Sequence, residues 1–293
     1  MPVDVAPRSE GSVVRFVLLE CALSVPFWGI GALAQAQVIP DQVLFRASWS
    51  LTPMMAAAIL VYRKGGAAAV RQLFRRIVDY RRIRAKIWYL AVFLAGPIIV
   101  FVQYGLTLWA GHQVPTPHLT LLVPASLMGF FLVAYAEELG WTVYVLDTLQ
   151  ERRSALTAGI LTGIIWASLH APVWAFAGQS LNWCVWQWIY VVALRVLMAW
   201  VYNNTGKSLF AMDLLHPGLF VWWYLWPVSG TGLSMPTLYE PRSLALLAIV
   251  LAATVTYLWG PKTLNRYRYS VWGIPGNSPG SYRHEWGTST RRD

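Results

Sequence analysis

Acidic side chains are scarce in this 293-residue chain: 13 Asp and Glu against 23 Lys and Arg, with charged residues at only 12% of the total. A soluble domain carries about twice that share. Cysteine is scarcer still. Cys21 and Cys184 both lie in apolar runs, which excludes a disulfide framework and a cysteine-based metal site. No alternating apolar–polar segments of the kind that build a membrane barrel are present. What is abundant is hydrocarbon. Hydrophobic residues make up 57% of the chain, with 17 tryptophans. A soluble globule of this composition would expose far more apolar surface than it could tolerate.

The composition therefore predicts an all-α fold, a polytopic membrane helical bundle with about eight transmembrane helices. Each crossing needs about 20 apolar residues. The apolar runs place the spans at about 14–36, 43–62, 87–110, 123–149, 155–177, 183–203, 208–228 and 243–260. Residues 1–260 form one integral membrane domain. Residues 261–293, rich in Gly, Pro, Ser, Arg and Tyr, are expected to be a basic, mobile cytoplasmic tail.

The formal net charge of +10 is unevenly spread. Residues 63–86 hold nine Lys/Arg and a single acid, Asp79. This segment is expected to be a cytoplasmic amphipathic stretch lying on anionic lipid headgroups, with no nucleic-acid partner. With 63–86 in the cytoplasm, Arg152, Arg153, Lys207 and the basic tail fall on the same side. The opposite loops, 111–122, 178–182 and 229–242, contain one Lys/Arg, Arg242. That is the positive-inside pattern of a multi-pass protein with both termini cytoplasmic. Asp147, Glu151, Arg152 and Arg153 read as a solvated cytoplasmic turn.

Ionisable side chains inside a span cost several kcal/mol unless paired or hydrated, so each is a functional candidate. The fourth span carries Glu137 and Glu138, the fifth His170, the sixth Arg195, and the seventh Asp213 and His216. All lie near the middle of their spans, which predicts one buried polar cluster. Two carboxylates and two imidazoles can activate a water directly or through a metal. Adjacent glutamates are about 100° apart on a helix, so the two would serve different sides of one cavity.

The segment AEELGWTVYVLDTLQERRSALTAGILTGIIWASLHAPVW, followed by NTGKSLFAMDLLHPGLF, resembles the CAAX-protease and bacteriocin-processing (ABI or CPBP) family of intramembrane proteases. The resemblance covers about 123–228. It rests on the paired glutamates, then Trp166 and His170 with three residues between them, then His216 about 45 residues later. It implies an intramembrane endopeptidase acting on a membrane-associated peptide or protein substrate. Glu137 and His170 would activate the attacking water, Glu138 would orient the site and His216 would stabilise the oxyanion. Family members are described both as zinc metalloproteases and as metal-independent enzymes. The resemblance therefore leaves open a zinc ion on His170, His216 and Glu137.

Two positions depart from the family motif. Its arginine is Thr142 here and its asparagine is Phe220. The alternative they raise is a catalytically inactive member serving as a membrane binding partner or scaffold. Compensation is also open. Arg195 could supply the missing cation to Glu138 or Glu137. Asp213, one turn before His216, could orient that imidazole, or could pair with Lys207 instead.

Overall fold

A computed structural model describes residues 10–39, 48–119, 121–227 and 238–265. Eight principal helices follow one another, and no strand occurs among the described residues. They are α1 (Glu10–Gln35), α2 (Thr52–Arg75), α3 (Ile87–Trp109), α4 (Leu122–Glu138), α5 (Ala155–Phe176), α6 (Leu181–Asn204), α7 (Leu209–Val221) and α8 (Pro241–Trp259). The chain is a polytopic helical membrane bundle, as its composition predicts. Among the described residues, five helices are long and apolar enough to cross a bilayer: α1 over Gly11–Gln35, and α3, α5, α6 and α8. The outer faces carry exposed Leu, Ile, Val and Phe, the surface a lipid-facing helix requires.

The expected second span and the basic segment follow one another across a break in helical geometry at Gly66. α2 begins only at Thr52 and runs on to Arg75, with a kink at Gly66, whose φ is 62°. Short 3-10 turns, Arg76–Val78 and Tyr80–Arg82, carry the chain towards α3. The basic segment is tied down at its end. Asp79 accepts from Ser208 Oγ (2.8 Å) and from the backbone N–H of Phe210 (3.1 Å), capping the start of α7. Asp147 is not a solvated turn residue. It is half-buried, pairs with Lys207 Nζ at 2.8 Å and accepts from Tyr202 Oη at 3.0 Å.

The fourth span contains the one irregularity that matters for the site. Directly after Glu138, the helix widens into a π-helical segment, Leu139–Leu146, before a last α turn, Asp147–Gln150. Such widenings are frequent at functional sites. The segment is buried throughout, and Gly140 lies so close to Pro53 at the start of α2 that a Cβ would approach its carbonyl oxygen to 2.7 Å.

Close approach is also how α5 and α6 pack. Gly159 and Gly163, four residues apart on α5, meet Val196 and Val192 of α6. Small residues at this spacing let membrane helices pack backbone to backbone. Residues 261–265 belong to this packed body. Ala155 N donates to Lys262 O (2.9 Å), and Asn203 and Asn204 donate to the carbonyls of Thr263 (2.9 Å) and Leu264 (2.7 Å). The remainder of the expected tail, from 266 onward, lies outside the described residues.

The tightest crossing is α3 on α7. A Cβ on Gly96 would stand 1.8 Å from the Gly218 carbonyl oxygen. Gly96→Ala must push these helices apart and is expected to lower stability by about 1–3 kcal/mol or more. Gly105→Ala, further along the same helix and with open space around its Cβ, should lose nothing. Thermal unfolding of both variants in the same detergent checks the contrast.

Candidate active site

Glu137 and Glu138 end α4 side by side, and the helical rotation between them gives them opposite environments. Glu138 is fully buried. Its Oε1 accepts from His216 Nδ1 at 2.8 Å. Its Oε2 accepts from Arg195 Nη1 at 2.8 Å and from the Thr142 hydroxyl one turn later. Three helices thus converge on one carboxylate: α4 with its π-helical continuation, α6 and α7. Arg195 is only 2% exposed, and its guanidinium carbon lies 4.0 Å from the centroid of the Trp166 ring. Its Nε and Nη2 have no hydrogen-bond partner among the described residues. The indole face therefore supplies part of the environment that this buried cation needs.

Glu137 faces the other way, into a partly open cavity of about 250 Å³ that Trp166, His170, His216 and Phe220 also line. Its Oε2 accepts from Trp166 Nε1 at 3.2 Å, and it takes part in no ion pair among the described residues. His170 Nδ1 lies 2.9 Å from the Trp166 carbonyl oxygen. A carbonyl can only accept, so Nδ1 carries the hydrogen and Nε2 keeps its lone pair. His216 likewise donates from Nδ1, to Glu138, and beside that carboxylate its Nε2 can carry a second hydrogen into the cavity.

Trp166 is the hub of this arrangement. Its backbone orients His170, its indole N–H holds Glu137, and its face carries Arg195. Its ring also stands edge-on to both imidazoles, at centroid distances of 4.7 Å to His170 and 5.6 Å to His216.

Of the residues expected from sequence, Glu137, Trp166, His170 and His216 share the cavity, while Glu138 and Arg195 lie behind it as an ion pair. Asp213 does not fill either role foreseen for it. His216 Nδ1 is already taken by Glu138 and Lys207 by Asp147, so both Asp213 oxygens lack a hydrogen-bond partner among the described residues. Trp49 was missed. Its ring packs against His170 at 4.6 Å, and its N–H donates to Ser24 Oγ at 2.8 Å. Ser24 in turn bonds the buried Glu20, which also accepts from Thr52. Trp49 sits in a short 3-10 turn within the range expected for the second span, and as an apolar residue in an apolar run nothing in its local pattern pointed to the site. Glu20, an acid within the first span, was the available signal.

No three His, Cys, Asp or Glu side chains form a metal-ligating group among the described residues. Glu137, His170 and His216 as they stand do not fit a three-ligand zinc site.

The family model for type II CAAX prenyl endopeptidases (Rce1-like) matches residues 119–222, the stretch holding Glu137, Glu138, Trp166, His170 and His216. That stretch is thus similar to the CAAX-protease family over about a third of the chain. CAAX prenyl protease 2 of Methanococcus maripaludis is similar to this chain. It is 24% identical over 182 residues, 57% of this chain and 66% of that relative. The match thus spans just under two thirds of the relative's length.

Set against the motif of the family it resembles, the two departures take physical form. The charge absent at Thr142 is supplied by Arg195 from α6, and the Thr142 hydroxyl takes up the same carboxylate. Phe220 stands on the cavity wall with its ring 5.6 Å from that of His216 and has nothing to donate. Removing the cation should leave Glu138 buried and uncompensated. Arg195→Gln is expected to lower stability by about 3–5 kcal/mol, with Arg195→Lys intermediate, read as thermal unfolding in detergent.

Proposed function

We propose that this chain is an intramembrane endopeptidase of the CAAX-protease type, hydrolysing a peptide bond near the end of a prenylated, membrane-associated substrate. The observation that carries this reading is the division of labour between the two glutamates. Glu138 is consumed by its bonds to Arg195, His216 and Thr142, whereas Glu137 faces the cavity with His170 and His216 beside it. A scaffold without activity would have no use for that asymmetry. An apolar, tryptophan-rich cavity also suits a substrate carrying a hydrocarbon chain.

The chemistry follows from which atoms can accept. A water placed between Glu137 and His170 donates one hydrogen to the carboxylate and the other to His170 Nε2. With both hydrogens so held, a lone pair of its oxygen is directed at the scissile carbonyl carbon. As the new C–O bond forms, Glu137 takes the water's proton. The negative charge that develops on the carbonyl oxygen accepts a hydrogen bond from His216 Nε2–H, with the imidazolium supported through Nδ1 by Glu138. Collapse breaks the C–N bond, and Glu137 returns its proton to the leaving amine. Every group in this sequence belongs to the chain or the substrate.

The topology proposed with this function places both termini and the basic segment in the cytoplasm. Arg63, Arg71, Arg75, Arg81, Arg82, Arg84 and Lys86 are exposed along that segment, where they can meet anionic headgroups.

Glu137→Gln keeps the shape of the side chain and removes the base. It is expected to lower cleavage of a prenylated reporter peptide by about 10²–10⁴-fold without changing thermal unfolding. In cells, uncleaved precursors should accumulate in the membrane proteome of the variant alone. Equal rates for wild type and variant would overturn the reading.

A further inference from the structure

Phe220 leaves the cavity short of one amide donor, yet a different amide lines the same wall. Gln187, on α6, is 5% exposed and borders the cavity together with Glu137, His170 and His216. Its Oε1 accepts from the Tyr239 hydroxyl at 2.7 Å. That phenol is itself fixed, with its ring 5.0 Å from Trp223 and 6.2 Å from Trp183. With the oxygen committed, the carboxamide has one orientation, and its N–H donors have no acceptor among the described residues. Gln187 Nε2 is not one of the buried polar atoms left without a partner, so it opens onto the cavity, where a ligand oxygen can replace water as its acceptor.

The helix register gives that oxygen a place. α5 and α6 run antiparallel, with Gly163 against Val192, Ser168 Oγ accepting from Trp188 Nε1 at 3.1 Å, and Trp174 beside Trp183. Continuing that register sets Gln187 level with His170. The amide thus stands at the depth where the attacking water is held, on a helix neighbouring the one that carries His170.

Resting on the endopeptidase reading above, we infer that Gln187 is a further catalytic residue: its Nε2–H donates to the oxygen of the scissile carbonyl, beside His216, in place of the amide that the family motif carries at the Phe220 position. Tyr239 is its positioning residue, holding the carboxamide so that nitrogen rather than oxygen meets the substrate. A hydrogen bond that tightens as the carbonyl becomes an oxyanion acts on the transition state more than on the bound peptide. Its loss therefore appears in kcat and not in KM.

The test uses the full chain in detergent or liposomes with a fluorogenic farnesylated peptide ending in a CAAX sequence. Gln187→Leu is expected to lower kcat about 10²-fold, with KM and thermal unfolding little changed. Tyr239→Phe should lower kcat about tenfold. Binding of the intact peptide to Glu137→Gln should be the same with and without Gln187→Leu. The decisive arm is Phe220→Asn on the Gln187→Leu background, which restores an amide from α7 and should recover tenfold or more of the lost rate. A purely structural role for Gln187 would not be rescued from another helix. Unchanged kcat in Gln187→Leu, a loss confined to KM, or no recovery with Phe220→Asn would each overturn the assignment while leaving the endopeptidase reading intact. Wild type no faster than Glu137→Gln would instead overturn the endopeptidase reading, and the Gln187 assignment with it.

Discussion

A carboxylate with no access to water must be neutralised from within the protein, and Glu138 is such a group. Its four close associates come from different parts of the chain: Arg195 from α6, His216 from α7, Thr142 from the π-helical segment, and Trp166 from α5, which carries the guanidinium on its ring. In a medium of low dielectric constant each is held by a strong field, and none can leave without exposing a charge to hydrocarbon. The core helices are thereby fixed at one depth. The positions of His216 and Trp166 follow from that pair, and through Trp166 so do those of His170 and Glu137. The cavity-facing side of the site is positioned by its buried side.

This ordering explains why Glu137 can stay out of ion pairs. The cation nearest the glutamate pair is held by Glu138 through Nη1 and by the indole face. What Glu137 meets instead is a neutral N–H from Trp166 and an open cavity. A base must be near its target and yet not held by a full counter-charge. Two adjacent acids on one helix, pointing to opposite sides, achieve that separation with no intervening chain.

Much of this was legible in the sequence, for reasons that also mark where legibility stops. Helices in a membrane are announced by composition, because a span needs a long apolar run. Ionisable residues inside such runs stand out because they are expensive. Those two rules located the eight helices and collected Glu137, Glu138, His170, Arg195 and His216, and they offered Arg195 as the cation that Thr142 lacks. They could not choose Arg195's partner between the two glutamates, because that depends on rotation of the helix. Nor could they tell that Asp213 lacks a hydrogen-bonding partner among the described residues. Spacing one turn before His216 made it look like the orienting acid, but Glu138 reaches the same nitrogen through space. Trp49, Gln187 and Tyr239 were illegible for a further reason. Each is an ordinary residue type whose role comes from what stands across from it, and contacts between distant segments leave no local pattern.

The two departures from the family motif bear on how such motifs should be read. A motif records which residues supply a charge or a donor at given spacings on a helix, but the chemistry needs only that the charge or donor arrive at a point in space. Arginine four residues after a glutamate and arginine on a facing helix can neutralise the same carboxylate, and here the second does, with Thr142 keeping a hydroxyl on Glu138 from the old position. The relocation has a geometric precondition. A guanidinium can reach across from α6 only because Gly159 and Gly163 let α5 and α6 approach until backbone meets side chain, and because Trp166 lies flat beneath the arriving cation. The glycine spacing and the indole therefore belong to the electrostatics of the site as much as to its packing. By the same logic, a motif position filled by an inert residue such as Phe220 does not on its own mark the site as dead. The relevant question is whether a donor from another helix reaches the same cavity.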